Sequence, residues 1–258
     1  MKIANTLIIF QLQALEDNYI YVIHDEASGE TVAIDPSEAA PVLKLLTEKN
    51  WTLTKILNTH HHWDHVGGNL ELKKATGCMI IGSYYDKDRI PGLDETVIEG
   101  DLIHIGKHTA KIIEIPGHTL GHIAFWFRDA KTLFCADTLF SLGCGRLFEG
   151  TPEQMWQSLH KLRSLPDDTM VYCAHEYTEA NARFALTIEH ENVTLLKRAH
   201  DVKALRATGQ PTVPSLLGEE KAANPFLRAD APEIQKAVHQ IGDTIGTFAK
   251  LRKMKDDF

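Results

Sequence analysis

The chain has 258 residues, 43% hydrophobic and 24% charged, with a formal net charge of −8. That length buries a sizeable core, as one large domain or a main domain with an appendage. The acidic balance argues against nucleic acid or an anionic membrane as partner, because phosphates select a basic surface, and leaves a small-molecule substrate as the better default.

Cys78, Cys135, Cys144 and Cys173 form no CxxC pair. A zinc ribbon and a thioredoxin-like motif are therefore absent, and reduced thiols in a reducing compartment are expected. The opening "MKIANTLIIFQLQALEDNYIYVI" carries one early lysine and a short apolar run, but acidic residues follow without a small-residue cleavage site. It reads as a first strand and not as a signal peptide, and no uncharged apolar run reaches the length of a membrane span.

Next, "YIYVIHD" and "TVAIDP" flank "EASGE", the pattern of a hairpin. A helix fits "SEAAPVLKLLTEKN", and "LTKILN" is a short strand running into "THHHWDHVGGN", residues 59–69. A second helix fits "GNLELKKATG"; "LIHIG", "HTAKIIEIPG", "HIAFWFRD" and "KTLFCAD" are four further strands. Thr151 to Leu165 reads as a helix, with Thr151, Pro152 and Gln154 in a capping-box arrangement. A strand "MVYCAH" ends at His175, and from Glu176 onward only helical spacing remains, in "YTEANARFALTIE", "NVTLLKRAHDVKALRAT", Pro232 to Gly242 and the segment after it. The expected class is α/β or α+β up to about residue 176, with a helical C-terminal part.

In "THHHWDHVGGN" an extended backbone would turn His60 and His62 one way and His61 the other. Two imidazoles, then Asp64 and His65 from the following turn, converge poorly on one tetrahedral ion and suit two neighbouring ions. His118 in "PGHTLGH", Asp137 ending "TLFCAD" and His175 ending "MVYCAH" add donors at strand ends, where α/β-type folds place their sites. Nitrogen and carboxylate donors without thiolate fit zinc and tolerate iron or manganese. One histidine at a strand end is more often a hydrogen-bonded surface residue than a ligand; the joint occurrence changes that balance. His61 reads as a supporting residue, Trp63 as packing under the loop and His122 as a hydrogen-bonding neighbour of the site. Gly67 and Gly68 meet backbone needs, and Asp35 and Asn18 either buttress the loop or cap strand ends.

"THHHWDH", "PGHT", the Asp of "AD" at 136–137 and "AHEYT" resemble the signature of the metallo-β-lactamase fold. Agreement with "DNYIY", "GCGRLFEGT", "NPFLR" and "RKMKDDF" extends the resemblance, over essentially the whole chain, to the glyoxalase II (hydroxyacylglutathione hydrolase) family. That resemblance implies a four-layer αβ/βα sandwich in residues 1–176 and a helical substrate-binding domain in 177–258. It implies one ion on His60, His62 and His118, a second on Asp64, His65 and His175, and Asp137 bridging the two. Two divalent ions per chain are expected, zinc first, with iron or manganese as substitutes.

Such a pair of ions lowers the pKa of a shared water, so that a hydroxide held beside Asp64 and Asp137 attacks the carbonyl carbon. A thioester suits this chemistry, because its thiolate leaving group has a pKa of about 8.5 and departs with little proton donation. The resemblance implies cleavage of S-D-lactoylglutathione to D-lactate and glutathione, the second step of methylglyoxal detoxification. A cytoplasmic location, a monomer, and neither nucleic acid nor membrane as partner are expected as well, the location from the cysteines and the partners from the acidic charge. Substrate recognition falls to Arg146, Tyr177, Arg252 and Lys255, arginine gripping the glycyl carboxylate in two-pronged fashion. Without the resemblance, "KLRKMK" would read as a solvated basic run. Some family members have lysine and tyrosine where this chain has Arg146 and Phe148; Phe148 lacks a hydroxyl and is left out of the recognition set.

Four other readings are weaker. A mononuclear-iron persulfide dioxygenase uses fewer ligands and lacks the long helical tail; a β-lactamase or lactonase does not account for the C-terminal segment. A ribonuclease of the same superfamily wants a basic surface, and a non-catalytic scaffold would not keep competent donors at seven positions.

Overall fold

The computed structural model describes residues 7–258, so the first six residues of the expected opening strand lie outside the described residues. Contacts divide the chain into two compact units. The first runs to Glu114 and takes in Gly121–Leu133; the second comprises Ile115–Leu120 and Phe134–Phe258. The described residues hold two six-stranded sheets and one two-stranded sheet.

The first unit contains β1 (Leu7–Ala14), β2 (Asn18–Asp25), β3 (Glu30–Ile34), α1 (Ala39–Lys49), β4 (Leu53–Leu57), α2 (Trp63–Val66), α3 (Asn69–Thr76), β5 (Met79–Ser83), β6 (Glu95–Val97), β7 (Leu102–Ile105), β8 (His108–Glu114) and β9 (Ile123–Phe127). β10 (Thr132–Phe134) lies at the division. One sheet runs β1 to β6 in chain order, antiparallel through β3 and parallel from β3 to β6. The expected hairpin is present, Asp25 pairing with Glu30, and Gly29 at φ 75° supplies the left-handed residue its turn requires. β2 is buried along its whole length, whereas β7 alternates exposed and buried. α1 buries Ala39, Val42, Leu45 and Leu46, a helical stripe, against Ile20, Val22, Ala33, Leu53 and Ile56 of the sheet. Each fully buried Ile or Leu there contributes about 1.5–3 kcal/mol.

The second unit holds β11 (Leu139–Phe140), β12 (Gly143–Cys144), α4 (Pro152–Arg163), β13 (Met170–Tyr172), α5 (Thr178–Ile188), α6 (Val193–Ala207), β14 (Ser215–Leu216), α7 (Leu217–Ala223), α8 (Pro232–Ala237) and α9 (Thr244–Asp256). The expectation of helices alone after residue 176 is corrected by β14, which pairs antiparallel with β13. A two-residue strand carries no periodicity to read. The helix expected over Pro232–Gly242 ends at Ala237, because His239 (φ 57°) and Gly242 (φ 79°) turn left-handed before Asp243 caps α9.

β11 and β12 form a hairpin pinned from α7. The buried Glu220 carboxylate accepts from Ser141 Oγ (2.7 Å) and Leu142 N (2.8 Å), while Asn224 Nδ2 donates to the Phe140 and Gly143 carbonyls at 3.1 and 3.0 Å. Burial pushes the Glu220 carboxyl above its ordinary pKa. An aromatic cluster of Phe184, Phe226, Phe248 and Trp156 packs the helices together. No helix among the described residues is long and apolar enough to cross a membrane.

The capping box of α4 forms as the sequence indicates, Gln154 N donating to Thr151 Oγ1 and Thr151 N to Gln154 Oε1. Thr151→Ala is expected to cost about 1 kcal/mol and to lower the melting temperature by about 2–4 °C, measured by calorimetry. A melting temperature equal to that of the parent chain would show that the cap is idle.

Candidate metal centre

His60, His62, Asp64 and His65 belong to the first unit. β4 ends at Leu57, so the histidines occupy a loop and not the extended strand end from which alternation was argued. Their arrangement has another cause, the carboxylate of Asp35. Its Oδ1 accepts from Thr59 N at 2.8 Å, and its Oδ2 lies 2.6 Å from Thr59 Oγ1 and 3.0 Å from His65 Nδ1. The Thr59 hydroxyl has one proton and spends it on the carboxylate, so at His60 Nδ1, 3.0 Å away, it accepts. His60 and His65 are thereby both fixed as Nδ1–H tautomers, with the Nε2 lone pair available to a metal. Donor atoms of Asp35, His60 and His65 all lie within 4.8 Å of one another.

The rest of the loop is braced as firmly. Asn18 Nδ2 donates to the Asp64 carbonyl (3.1 Å) and to its Oδ2 (3.2 Å). Asn58 Nδ2 donates to the His65 carbonyl, and Asn69 holds Asn58 in turn. The rings of His60 and His62 meet edge to face at 4.7 Å, and His122 stacks on His60 at 4.5 Å. A Cβ on Gly68 would come within 2.9 Å of the Pro36–Ala39 backbone, and one on Gly67 would collide with the Ser37 carbonyl. Close approach, and not left-handed backbone, is what these two glycines supply.

His61 is turned aside as expected, by partners that sequence reasoning missed. Its Nδ1 lies 3.1 Å from Asp86 Oδ2 and its Nε2 accepts from Arg89 Nη1 at 3.2 Å; Arg89 also pairs with Asp86. Trp63 does not pack under the loop: 71% of its surface is exposed. At the first position of the short helix α2 its side chain leaves the core, with Asp64 and His65 behind it.

The second unit carries His118, Asp137 and His175. His118 Nε2 is 3.4 Å from Asp137 Oδ2, and His175 Nε2 is 3.3 Å from Asp137 Oδ1. The two oxygens of one buried carboxylate thus face two different imidazoles. His118 Nδ1 lies 2.8 Å from the Arg146 carbonyl, which accepts its proton and orients Nε2 toward Asp137. Asp137 follows Ala136, held at φ 38°, a strained conformation for a residue with a Cβ. His175 stacks on Tyr177 with 4.8 Å between ring centroids. Imidazole and carboxylate groups of this kind, with the far nitrogens of His60, His65 and His118 already held, form a donor set suited to divalent metal.

The four residues expected to recognise substrate are also in this unit. Arg146 and Tyr177 are exposed and Lys255 is half-buried. Arg252 is buried, with Nη1 donating to the Cys144 carbonyl at 2.7 Å and its guanidinium over the Phe226 ring. Phe148 is exposed, its ring edge-on to His118.

Asp35→Asn keeps the side-chain volume but turns one acceptor into a donor facing His65. It is expected to weaken divalent-metal affinity by about 10- to 100-fold, read by competition with a chromophoric chelator. Affinity equal to wild type would mean that the tautomers are fixed by something else.

The sequence model of the metallo-beta-lactamase superfamily matches residues 16–175, and that of the hydroxyacylglutathione hydrolase C-terminus matches residues 176–258. A hydroxyacylglutathione hydrolase from Methylococcus capsulatus is 55% identical over 97% of this chain and 98% of its own length. One from Rhodospirillum rubrum is 56% identical, over 98% of this chain and all of its own. Among solved structures, ETHE1 from Myxococcus xanthus superposes with a TM-score of 0.61 at 28% identity, covering 86% of this chain and 99% of that one. Over nearly its full length the chain belongs to the hydroxyacylglutathione hydrolase family, within the metallo-beta-lactamase superfamily.

Proposed function

We propose that this chain is a thioester hydrolase acting on S-(2-hydroxyacyl)glutathiones, with S-D-lactoylglutathione cleaved to D-lactate and glutathione, the second step of methylglyoxal detoxification. The observation that carries this reading is identity above one half to named hydroxyacylglutathione hydrolases, sustained through the C-terminal segment. In this reading His60, His62 and His118 hold one divalent ion, Asp64, His65 and His175 a second, and Asp137 both. Zinc is the first choice, with iron or manganese as substitutes. When bound, the ions activate water and polarise the thioester carbonyl.

The chain's own residues supply the remainder. Asp64 and Asp137 are carboxylate acceptors that orient the attacking water, and Asp35 and the Arg146 carbonyl hold Nδ1–H of His65 and His118 so that Nε2 is aimed at the site. The leaving thiolate needs little protonation, which fits a site whose carboxylates are all committed elsewhere. Arg146, Tyr177, Arg252 and Lys255 take the glutathione moiety, with residues 177–258 as the recognition domain beside a catalytic domain of 1–176. Of these cations, Lys255 is pushed below its usual pKa by burial first and then by the neighbouring arginines Arg252, Arg183 and Arg146. That crowding of positive charge suits an anionic ligand. A monomer in the cytoplasm, without nucleic acid or membrane as partner, completes the reading.

The direct test is release of free thiol from S-D-lactoylglutathione, with metal analysis of the same sample; metal-replete protein that releases no thiol would sink the reading. Asp137→Ala is expected to lose both ions together, and two equivalents surviving purification would refute the bridging role. Lys255→Met is expected to raise KM by about tenfold with kcat little changed, as for a lost binding contact. An equal fall in kcat at constant KM would place Lys255 in the chemical step.

A further inference from the structure

The last turn of α9 breaks two local preferences at once. Asp256 sits at the helix C-terminus, where the macrodipole disfavours an anion. It also follows its partner Arg252 by four residues, the weaker order for such a pair. A charge placed against local preference is used by something beyond its own helix.

What it faces is a set of cations. Asp256 Oδ1 lies 2.9 Å from Arg252 Nη2 and 3.5 Å from Arg146 Nε. Arg252 is only 5% exposed, and its Nε has no hydrogen-bond partner among the described residues. A buried guanidinium with an unused N–H lacks an acceptor, and leaving such a donor unsatisfied is costly. Lys255 sits in the following turn position, its ammonium over the Phe184 and Phe258 rings. One carboxylate among these cations leaves the cluster under-neutralised.

We propose that Asp256 is a resident stand-in for the substrate's glycyl carboxylate: it occupies Arg146 and Arg252 in the free protein, and the incoming carboxylate displaces it. This rests on the reading above that these cations recognise glutathione. At Arg146 the exchange is cheap, because the side chains of Asp256 and Arg146 are 40% and 65% exposed and an ion pair half in water is weak; at the buried Arg252 one carboxylate replaces another, so the guanidinium is never left without an anionic partner. It also serves turnover. Product glutathione keeps the same carboxylate, and a competing anion at the arginines speeds its departure. A clamp that merely orients Arg252 would have the opposite effect on affinity when removed.

The test uses the metal-loaded full chain and S-methylglutathione, with titration calorimetry as readout. Asp256→Asn is compared with Asp257→Asn, which removes the same charge one residue away from a surface pair with Lys253. Asp256→Asn is expected to bind S-methylglutathione about 3- to 10-fold more tightly, with KM for the thioester falling in parallel. Neither Asp257→Asn nor the analogue with its glycyl carboxylate converted to an amide should show that gain. Unchanged or weaker binding in Asp256→Asn overturns the proposal, as does an equal gain with Asp257→Asn or with the amide. Absence of thioester turnover in the parent chain, with the binding pattern intact, would instead defeat the catalytic reading and leave this one standing.

Discussion

The Asp35 carboxylate is the constraint on which the metal loop depends. It closes three hydrogen bonds to Thr59 and His65 from a backbone at φ 47°, a conformation that residues other than glycine reach only at a cost. In exchange it settles a proton question that an imidazole-rich loop otherwise leaves open. Both His60 and His65 point basic nitrogens away from the carboxylate, and neither can flip its ring without stranding a buried acceptor. Asn18, Asn58 and Asn69 repeat the device on the backbone. Asparagine suits those positions because it offers donor and acceptor on one rigid amide and adds no charge that would compete for metal.

In the second unit the comparable anchor is Glu220 with Asn224. Residues of α7 and its exit hold the β11–β12 hairpin by polar contacts to Phe140, Ser141, Leu142 and Gly143. That hairpin leads from Asp137 to Arg146, so the C-terminal segment shapes the loop that presents both. The "NPFLR" stretch, read at first only as a mark of family, thereby acquires a physical role. Asn224 hydrogen-bonds the hairpin, Phe226 enters the aromatic core, and Arg228 pairs with Glu189 and Glu233.

Long periodic elements and chemically distinctive donors were legible in the chain. The Asp25–Glu30 hairpin, α1, α4 with its cap, and the histidine and aspartate positions all carry their signals within a few neighbouring residues. What was hidden depends on tertiary approach. Asp86 and Arg89 reach His61 only after β5 brings them alongside, and no spacing links them. The two-residue strands are too short for a period. The separation of His61 from His60 and His62 was argued from strand alternation, yet the chain leaves the strand before Thr59 and the separation is enforced by hydrogen bonds. Asp256 carries no signal in the sequence, and its role depends on Arg146 and Arg252 being placed beside it. The layered arrangement came from the family resemblance, because periodicity identifies strands without saying how their sheets pack.

Arg146 does two things through different parts of itself. Its side chain, largely in solvent, faces the Asp256 carboxylate, while its carbonyl holds the His118 imidazole; next to it, a side chain on Gly145 would collide with the Asp137 carbonyl. The loop is therefore open to variation in chemistry but closed to variation in length. Lysine or glutamine at position 146, or tyrosine at 148, would change the side chains offered to a substrate under the proposed function and leave the imidazole where it is. One inserted residue would unseat it. A library aimed at new thioesters should randomise these side chains on a backbone of fixed length, and homologues with altered specificity should differ here by replacement and never by insertion.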